Sequence, residues 1–256
     1  MPNNVKTAWS GYHPDKDNLR AEVWSLLKEQ GVAICDPFGH IPNFVGTQMA
    51  AEWLADLPMW KRAIAIKCNP DSPQIPVRLR ALQDGKRLYM AVPRLTSTRC
   101  FVELTVEDLQ QRNIPLEEAA IAQNALSYGR LVSFEEMQAI DLVMVGCVAV
   151  TRNGGRTGKG AGFADLELAM LYEFGLVQPD TPIVTTVHPL QIVEDERLPM
   201  QAHDWALNWI VTSDEVIETN TTYPRPAGLD WDTIRPEQYK KIPILRQLSE
   251  QFANQQ

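Results

Sequence analysis

Five glycines fall within nine residues, Gly154, Gly155, Gly158, Gly160 and Gly162, and two cations, Arg156 and Lys159, stand among them. Glycine reaches positive φ without steric cost, so successive amides can turn inward onto one anion. Arginine can grip a phosphate through two N–H groups, and lysine adds a point charge. The stretch runs through Ala161, Phe163 and Ala164 to Asp165. It opens a helical pattern over Leu166 to Phe174 that Gly175 stops, so helix amides would add partial positive charge. The residues Gly154 to Asp165 therefore read as one anion-binding loop for the phosphates of a nucleotide, ATP. Asp165 suits two roles, a helix N-cap and a Mg²⁺ ligand bridging phosphates, and residue type alone does not separate them. A glycine-rich loop can also be a plain flexible connection; the two cations argue against that here. Gly160 follows Lys159 where a Walker A loop needs Ser or Thr, and Phe163 stands where a dinucleotide fingerprint needs glycine.

Such a loop needs a strand to launch it. Asp141 to Val150 is a continuous apolar run and reads as one buried parallel strand. Further strands are expected over 62–67, 87–92, 182–187 and 209–212. Helices are expected over 18–30, 45–57 and 77–84, with a Pro-rich turn over 70–76. The stretch 96–134 gives only weak helical turns. Strand and helix alternate, which predicts an α/β fold with a mainly parallel sheet and ligands at the carboxyl ends of its strands. Residues 1–15 read as a polar tail and 16–218 as the domain. Residues 219–256 read as an arm with a final helix near 244–252, packing on the domain.

The chain has 256 residues and a formal net charge of −8. That balance disfavours nucleic acid, which needs surplus Lys and Arg on one face. Cys35, Cys68, Cys100 and Cys147 are widely spaced, which argues against a structural zinc site and for a reducing compartment. The first residues carry no apolar signal core, and no apolar run is long enough to span a bilayer. A soluble, cytoplasmic protein without membrane partners is expected.

Asp141-Leu-Val-Met-Val-Gly146 followed by Arg156-Thr-Gly-Lys-Gly-Ala-Gly-Phe-Ala-Asp165 resembles the 5-formyltetrahydrofolate cyclo-ligase (methenyltetrahydrofolate synthetase) family. There a buried strand precedes Arg-Leu-Gly-x-Gly-Gly-Gly-Tyr-Tyr-Asp. A second block agrees: Gln191, Leu198-Pro199, His203-Asp204 and Ile210-Val-Thr-Ser213. Lys16-Asp-Asn-Leu-Arg20, Gly85-Lys86 and Val92-Pro93-Arg94 fit more loosely. Ile41-Pro-Asn-Phe44 and Lys241-Ile-Pro-Ile-Leu-Arg246 are similar to a divergent branch, the methenyltetrahydrofolate synthetase domain-containing proteins. The resemblance runs from about Lys16 to Val216.

The resemblance implies a three-layer α/β fold like that of sugar-phosphate isomerases and CoA transferases. It implies a reaction in which ATP, with Mg²⁺, phosphorylates the formyl oxygen of 5-formyltetrahydrofolate. Folate N10 then closes on the carbon, and 5,10-methenyltetrahydrofolate, ADP and phosphate result. By the same resemblance, Lys16 and Arg20 would touch ATP phosphates, although the default for two charges on a first helix is a solvated face. Arg156, Gly158, Lys159, Gly160, Ala161, Gly162 and Phe163 would cradle ATP, with Arg156 and Lys159 acting on the transferring phosphoryl group. Asp165 would hold Mg²⁺. His203 and Asp204 would form a structural hydrogen-bonded pair. Ala164 and Leu166 depart from the family's second Tyr and following Arg. Asn69 to Gln74 replaces its folate-contacting Glu-x-x-Thr, leaving Asp71, Gln74 and Phe163 as folate candidates. A diverged nucleotide- or folate-binding protein of the same fold is the alternative.

Overall fold

Short apolar strands buried on both faces build the centre of the molecule. The computed structural model describes residues 13–92 and 95–253, the side chains of 251–253 excepted. The polar tail and Pro93-Arg94 thus fall wholly or mostly outside the described residues. The strands are β1 (Ala65–Cys68), β2 (Arg87–Ala91), β3 (Phe101–Leu104), β4 (Arg130–Val132), β5 (Leu142–Met144), β6 (Ala149–Thr151), β7 (Arg156–Thr157), β8 (Ile183–Thr186), β9 (Ile192–Val193), β10 (Trp209–Val211) and β11 (Val216–Glu218). Eight of them form one sheet in the order β11-β10-β8-β5-β1-β2-β3-β4. The run from β10 to β2 is parallel, and the edges are antiparallel.

Side chains alternate across a strand, and here the alternation feeds two cores. Ala65, Tyr89, Val143, Ile183 and Ile210 face one. Ile66, Leu88, Met144, Val184 and Val211 face the other. The helices are α1 (Pro14–Glu29), α2 (Thr47–Asp56), α3 (Pro58–Arg62), α4 (Ile75–Gln83), α5 (Val106–Gln111), α6 (Leu116–Ala119), α7 (Ala122–Tyr128), α8 (Phe163–Glu173), α9 (Pro236–Lys241) and α10 (Pro243–Ala253). α8 and α10 pack on the first face, and α2 and α4 on the second. The result is the expected three-layer α/β architecture.

Three readings of the sequence need correction. The run Asp141 to Val150 is two strands. β5 joins the large sheet, whereas β6 joins β7 and β9 in a separate three-stranded sheet. The switch occurs at Gly146, where an added Cβ would lie 3.1 Å from Ile41 and 3.2 Å from an Asp71 carboxylate oxygen. Both halves are buried, so hydropathy is continuous across the break. Gln191 Nε2 donates to the Cys147 and Val148 carbonyls at 2.9 and 3.1 Å, meeting their hydrogen-bond demand in the crossover. Second, α1 begins at Pro14, inside the expected tail, because His13 and Pro14 supply its start. Third, the first expected strand begins at Ala65, since α3 claims Arg62.

The stretch 96–134 holds two strands and three short helices. Helices of 4 to 7 residues carry too few turns to show a period. α1 presents Leu19, Val23, Trp24 and Leu27 to a third cluster that includes Val148 and Ala149. This packing fixes the start of α1 over the small sheet. All four cysteines are free, and no helix among the described residues is long and apolar enough to cross a membrane.

Candidate functional site

A cavity of about 530 Å³ opens at the carboxyl ends of β1 and β5. That is where open α/β sheets place their ligands. Lys16 and Arg20 of α1, Asn69 to Asp71 after β1, Thr157 at the end of β7, Gly158 to Gly162 after it and the start of α8 bound it.

The glycines divide into two groups. Gly154 and Gly155 turn the β6–β7 hairpin and do not line the cavity. An added Cβ would stand 2.6 Å from the Leu207 carbonyl at Gly154 and 2.4 Å from Thr151 Oγ1 at Gly155. Those glycines answer close packing. The expected loop of Gly154 to Asp165 therefore shortens to Gly158–Gly162. Gly160 and Gly162 have φ of 109° and 72°, the left-handed region that glycine tolerates. Gly158 has nothing within 4 Å of an added Cβ. α8 begins immediately after Gly162, so its first amides meet the cavity's edge.

Gly162 is the N-cap of α8, so the N-cap reading of Asp165 is replaced. Asp165 is the third helical residue, and its Oδ1 accepts from Arg156 Nη2 and from the Trp205 amide at 3.0 Å. Arg156 Nε donates to the Trp205 carbonyl at 2.6 Å. Only 2% of the Arg156 side chain is exposed. Burial opposes its charge, but the carboxylates of Asp165 and Asp204 outweigh that and hold the guanidinium above its usual range. Arg156 borders the cavity but is committed to α8 and the 205 loop. Two of the N–H groups expected on phosphate, those of Nε and Nη2, are engaged by the Trp205 carbonyl and Asp165.

Lys159 differs. Its side chain is 34% exposed, and Nζ meets Asp71 Oδ1 at 2.9 Å across the cavity. An ion pair this open to water is worth roughly 0–1 kcal/mol, so a ligand can displace it cheaply.

Lys16 and Arg20 are buried, not solvated, because they continue the face of α1 that carries Leu19, Val23 and Leu27. Lys16 Nζ lies 2.5 Å from Asp204 Oδ2. Arg20 donates to Thr157 Oγ1 at 2.6 Å and pairs with Asp17. The expected His203–Asp204 hydrogen bond is absent: His203 Nε2 is 4.0 Å from Asp204, and Asp204 serves Lys16 and the Gln201 amide instead.

Of the three folate candidates, Asp71 and Phe163 line the cavity and Gln74 does not. Gln74 is fully buried, and neither atom of its amide has a partner. The short 3-10 turn Ser72–Gln74 that leads into α4 turns it away from the cavity.

Two groups beneath the cavity escaped the sequence reading. Lys67 and Glu167, both buried, meet at 2.5 Å, and Lys67 also reaches Asn69 Oδ1 at 3.1 Å. A lysine inside the apolar strand Ala65-Ile-Lys-Cys68 was the available signal, since such a charge must be paired. Arg78, fully buried, donates to the carbonyls of Asn69, Asp71 and Ala120 at 2.6, 3.1 and 2.7 Å. It clamps the turn after β1 that carries Asp71. Burial pushes the neighbouring Cys68 thiol up to about 11.

Among the described residues, no group of three or more His, Cys, Asp or Glu is placed to hold a metal. Mg²⁺ commonly takes one or two carboxylates and completes its shell with phosphate oxygens and water. Asp165 Oδ2, which carries no hydrogen bond among the described residues, fits as one such ligand.

A sequence profile of the 5-formyltetrahydrofolate cyclo-ligase family matches residues 12–213. Methenyltetrahydrofolate synthase domain-containing proteins of Bos taurus and Homo sapiens are 39% and 37% identical over 238 and 235 residues. Those alignments cover 92% and 91% of this chain but 62% and 61% of the relatives, so the chain spans about three-fifths of their length. The NMR structure of Aquifex aeolicus 5,10-methenyltetrahydrofolate synthetase superimposes with a TM-score of 0.51 and 17% identity, covering 86% of this chain and 99% of that one. At that identity the likeness speaks for the fold.

Proposed function

The chain belongs to the 5-formyltetrahydrofolate cyclo-ligase family, and on that premise we propose that it holds ATP in the Gly158–Gly162 loop and uses it to close 5-formyltetrahydrofolate to 5,10-methenyltetrahydrofolate. The observation that carries the proposal is the loop itself: positive-φ glycines, a displaceable Lys159 and the first amides of α8 converge on one cavity.

The chemistry suits such a site. A formamide carbon is a poor electrophile and its oxygen a poor leaving group. Attack of the formyl oxygen on the γ-phosphorus, with ADP leaving, mends both. N10 then adds to the carbon and gives up its proton, and the C–O bond breaks so that the proton and phosphate leave together. The protein's tasks are positioning and neutralising phosphoryl charge. Loop amides and Lys159 hold the polyphosphate, and the Lys16–Asp204 and Arg20–Thr157 contacts brace the opposite wall. Asp165 would hold a Mg²⁺, which would supply further neutralisation of phosphoryl charge. Arg156 orients Asp165 for that role.

A second reading keeps the nucleotide site and drops the folate reaction. Gln74 turned away from the cavity and Ala164 and Leu166 at the start of α8 favour it. One assay separates the two. Purified protein with ATP, Mg²⁺ and 5-formyltetrahydrofolate is expected to develop the methenyl absorbance with stoichiometric ADP. ATP binding without any absorbance change would sink the folate assignment and leave the second reading.

A further inference from the structure

The family profile ends at Ser213, yet the cavity does not. Leu229, Asp230, Ile234, Arg235 and Gln238 line it as well. They belong to the arm that precedes and includes α9. An alignment covering 92% of the chain leaves about 20 residues outside it, so it too must run past Ser213.

The arm is fastened. At Gly228 φ is 129°, and an added Cβ would stand 2.2 Å from Glu173 Oε1, so the backbone passes tight against the end of α8. The next amide, Leu229 N–H, donates to that same oxygen at 2.9 Å. The Trp231 and Tyr239 rings stack at 6.3 Å. Beyond α9, Ile242 and Leu245 are fully buried in the main core. The wall is thus set by packing, and side chains on it are presented in a fixed place, as a preorganised site requires.

What it presents faces the glycine loop. Arg235 Nη2 donates to the Ala161 carbonyl at 3.2 Å. The point where a Cβ would sit on Gly162 lies 3.7 Å from Gln238 Nε2 and 4.0 Å from Arg235 Nη2. A guanidinium and an amide donor therefore stand over the junction of loop and helix, beside the φ-positive glycines. A guanidinium's planar fork of donors matches phosphate oxygens.

We propose that Arg235, with Gln238 beside it, binds the polyphosphate of the nucleotide, so that a segment outside the family-matched region completes the phosphate site. The inference rests on the reading that the Gly158–Gly162 loop holds a nucleotide. It adds a charge from a part of the chain that the cyclo-ligase motifs do not include.

Calorimetry on the full chain tests it, with ATP, ADP, AMP and inorganic tripolyphosphate as titrants. Arg235→Ala is expected to weaken ATP and tripolyphosphate roughly ten- to a hundredfold, the usual worth of one charge-assisted contact. ADP should lose less and AMP least, and Arg235→Lys should recover part of the loss. Arg235→Gln keeps a donor for Ala161 but removes the charge, so it should also lose ATP affinity, and it serves if the alanine variant folds poorly. Unchanged ATP affinity in these variants overturns the proposal. So does an equal loss for ATP and AMP, which would mean that Arg235 merely pins the loop. A wild-type protein that binds neither ATP nor tripolyphosphate overturns both this inference and the nucleotide reading beneath it.

Discussion

Arg156→Ala is expected to destabilise the fold by about 3–5 kcal/mol, the usual cost of removing one partner from a buried ion pair. The guanidinium is buried, and it bridges Asp165 on α8 to the Trp205 carbonyl. Its loss strips the Asp165 carboxylate, only 20% exposed, of its charge partner and leaves the Trp205 carbonyl without its guanidinium donor. Against a typical domain stability of roughly 5–15 kcal/mol the loss is large. Urea unfolding of the variant beside wild type measures it. A loss under about 1 kcal/mol, within the range of exposed pairs, would show that Arg156 is poised for a ligand and not committed to the scaffold.

Lys159→Ala is expected to do the opposite: leave stability nearly unchanged and cost ATP affinity roughly ten- to a hundredfold. Lys159 pairs with Asp71, and that half-open pair is worth roughly 0–1 kcal/mol. A polyphosphate offers it a stronger partner. Truncation removes this contact and also leaves Asp71 uncompensated, so the cavity turns more negative and repels the anion further. Titration calorimetry with ATP, with the melting temperature as a control, separates the two effects. Wild-type affinity in the variant would remove Lys159 from the phosphate site. The sequence places Arg156 and Lys159 in one loop as equals. Burial divides them, and with burial the magnitude and kind of effect each should have.

That division shows what the sequence could carry. The α/β alternation was legible because the longer helices show a period, as with α1 and α2, and the buried strands are continuously apolar, as with β5. The glycine loop was legible in kind but not in extent. A glycine that avoids a clash in a hairpin, such as Gly155, and one that turns an amide toward a cavity, such as Gly160, are the same letter. The break at Gly146 was hidden because β5 and β6 are both buried, and hydropathy reports burial without saying in which sheet. The sequence points to Asp204 but pairs it with His203, its chain neighbour. Its true partner, Lys16, lies 188 residues away, a pairing that only the packing of α1 on the small sheet creates. The arm's place at the cavity was illegible for the same reason: Arg235 meets Ala161 across 74 residues.

The central claim is that the phosphate cradle is Gly158–Gly162 with the first turn of α8, and that the hairpin glycines are structural. Amide hydrogen exchange on the full chain, with and without saturating ATP, tests it most directly. Exchange is predicted to slow across residues 158–165 when ATP is added and to stay unchanged at Gly154 and Gly155. Protection absent from 158–165, or appearing at the hairpin instead, would contradict the account.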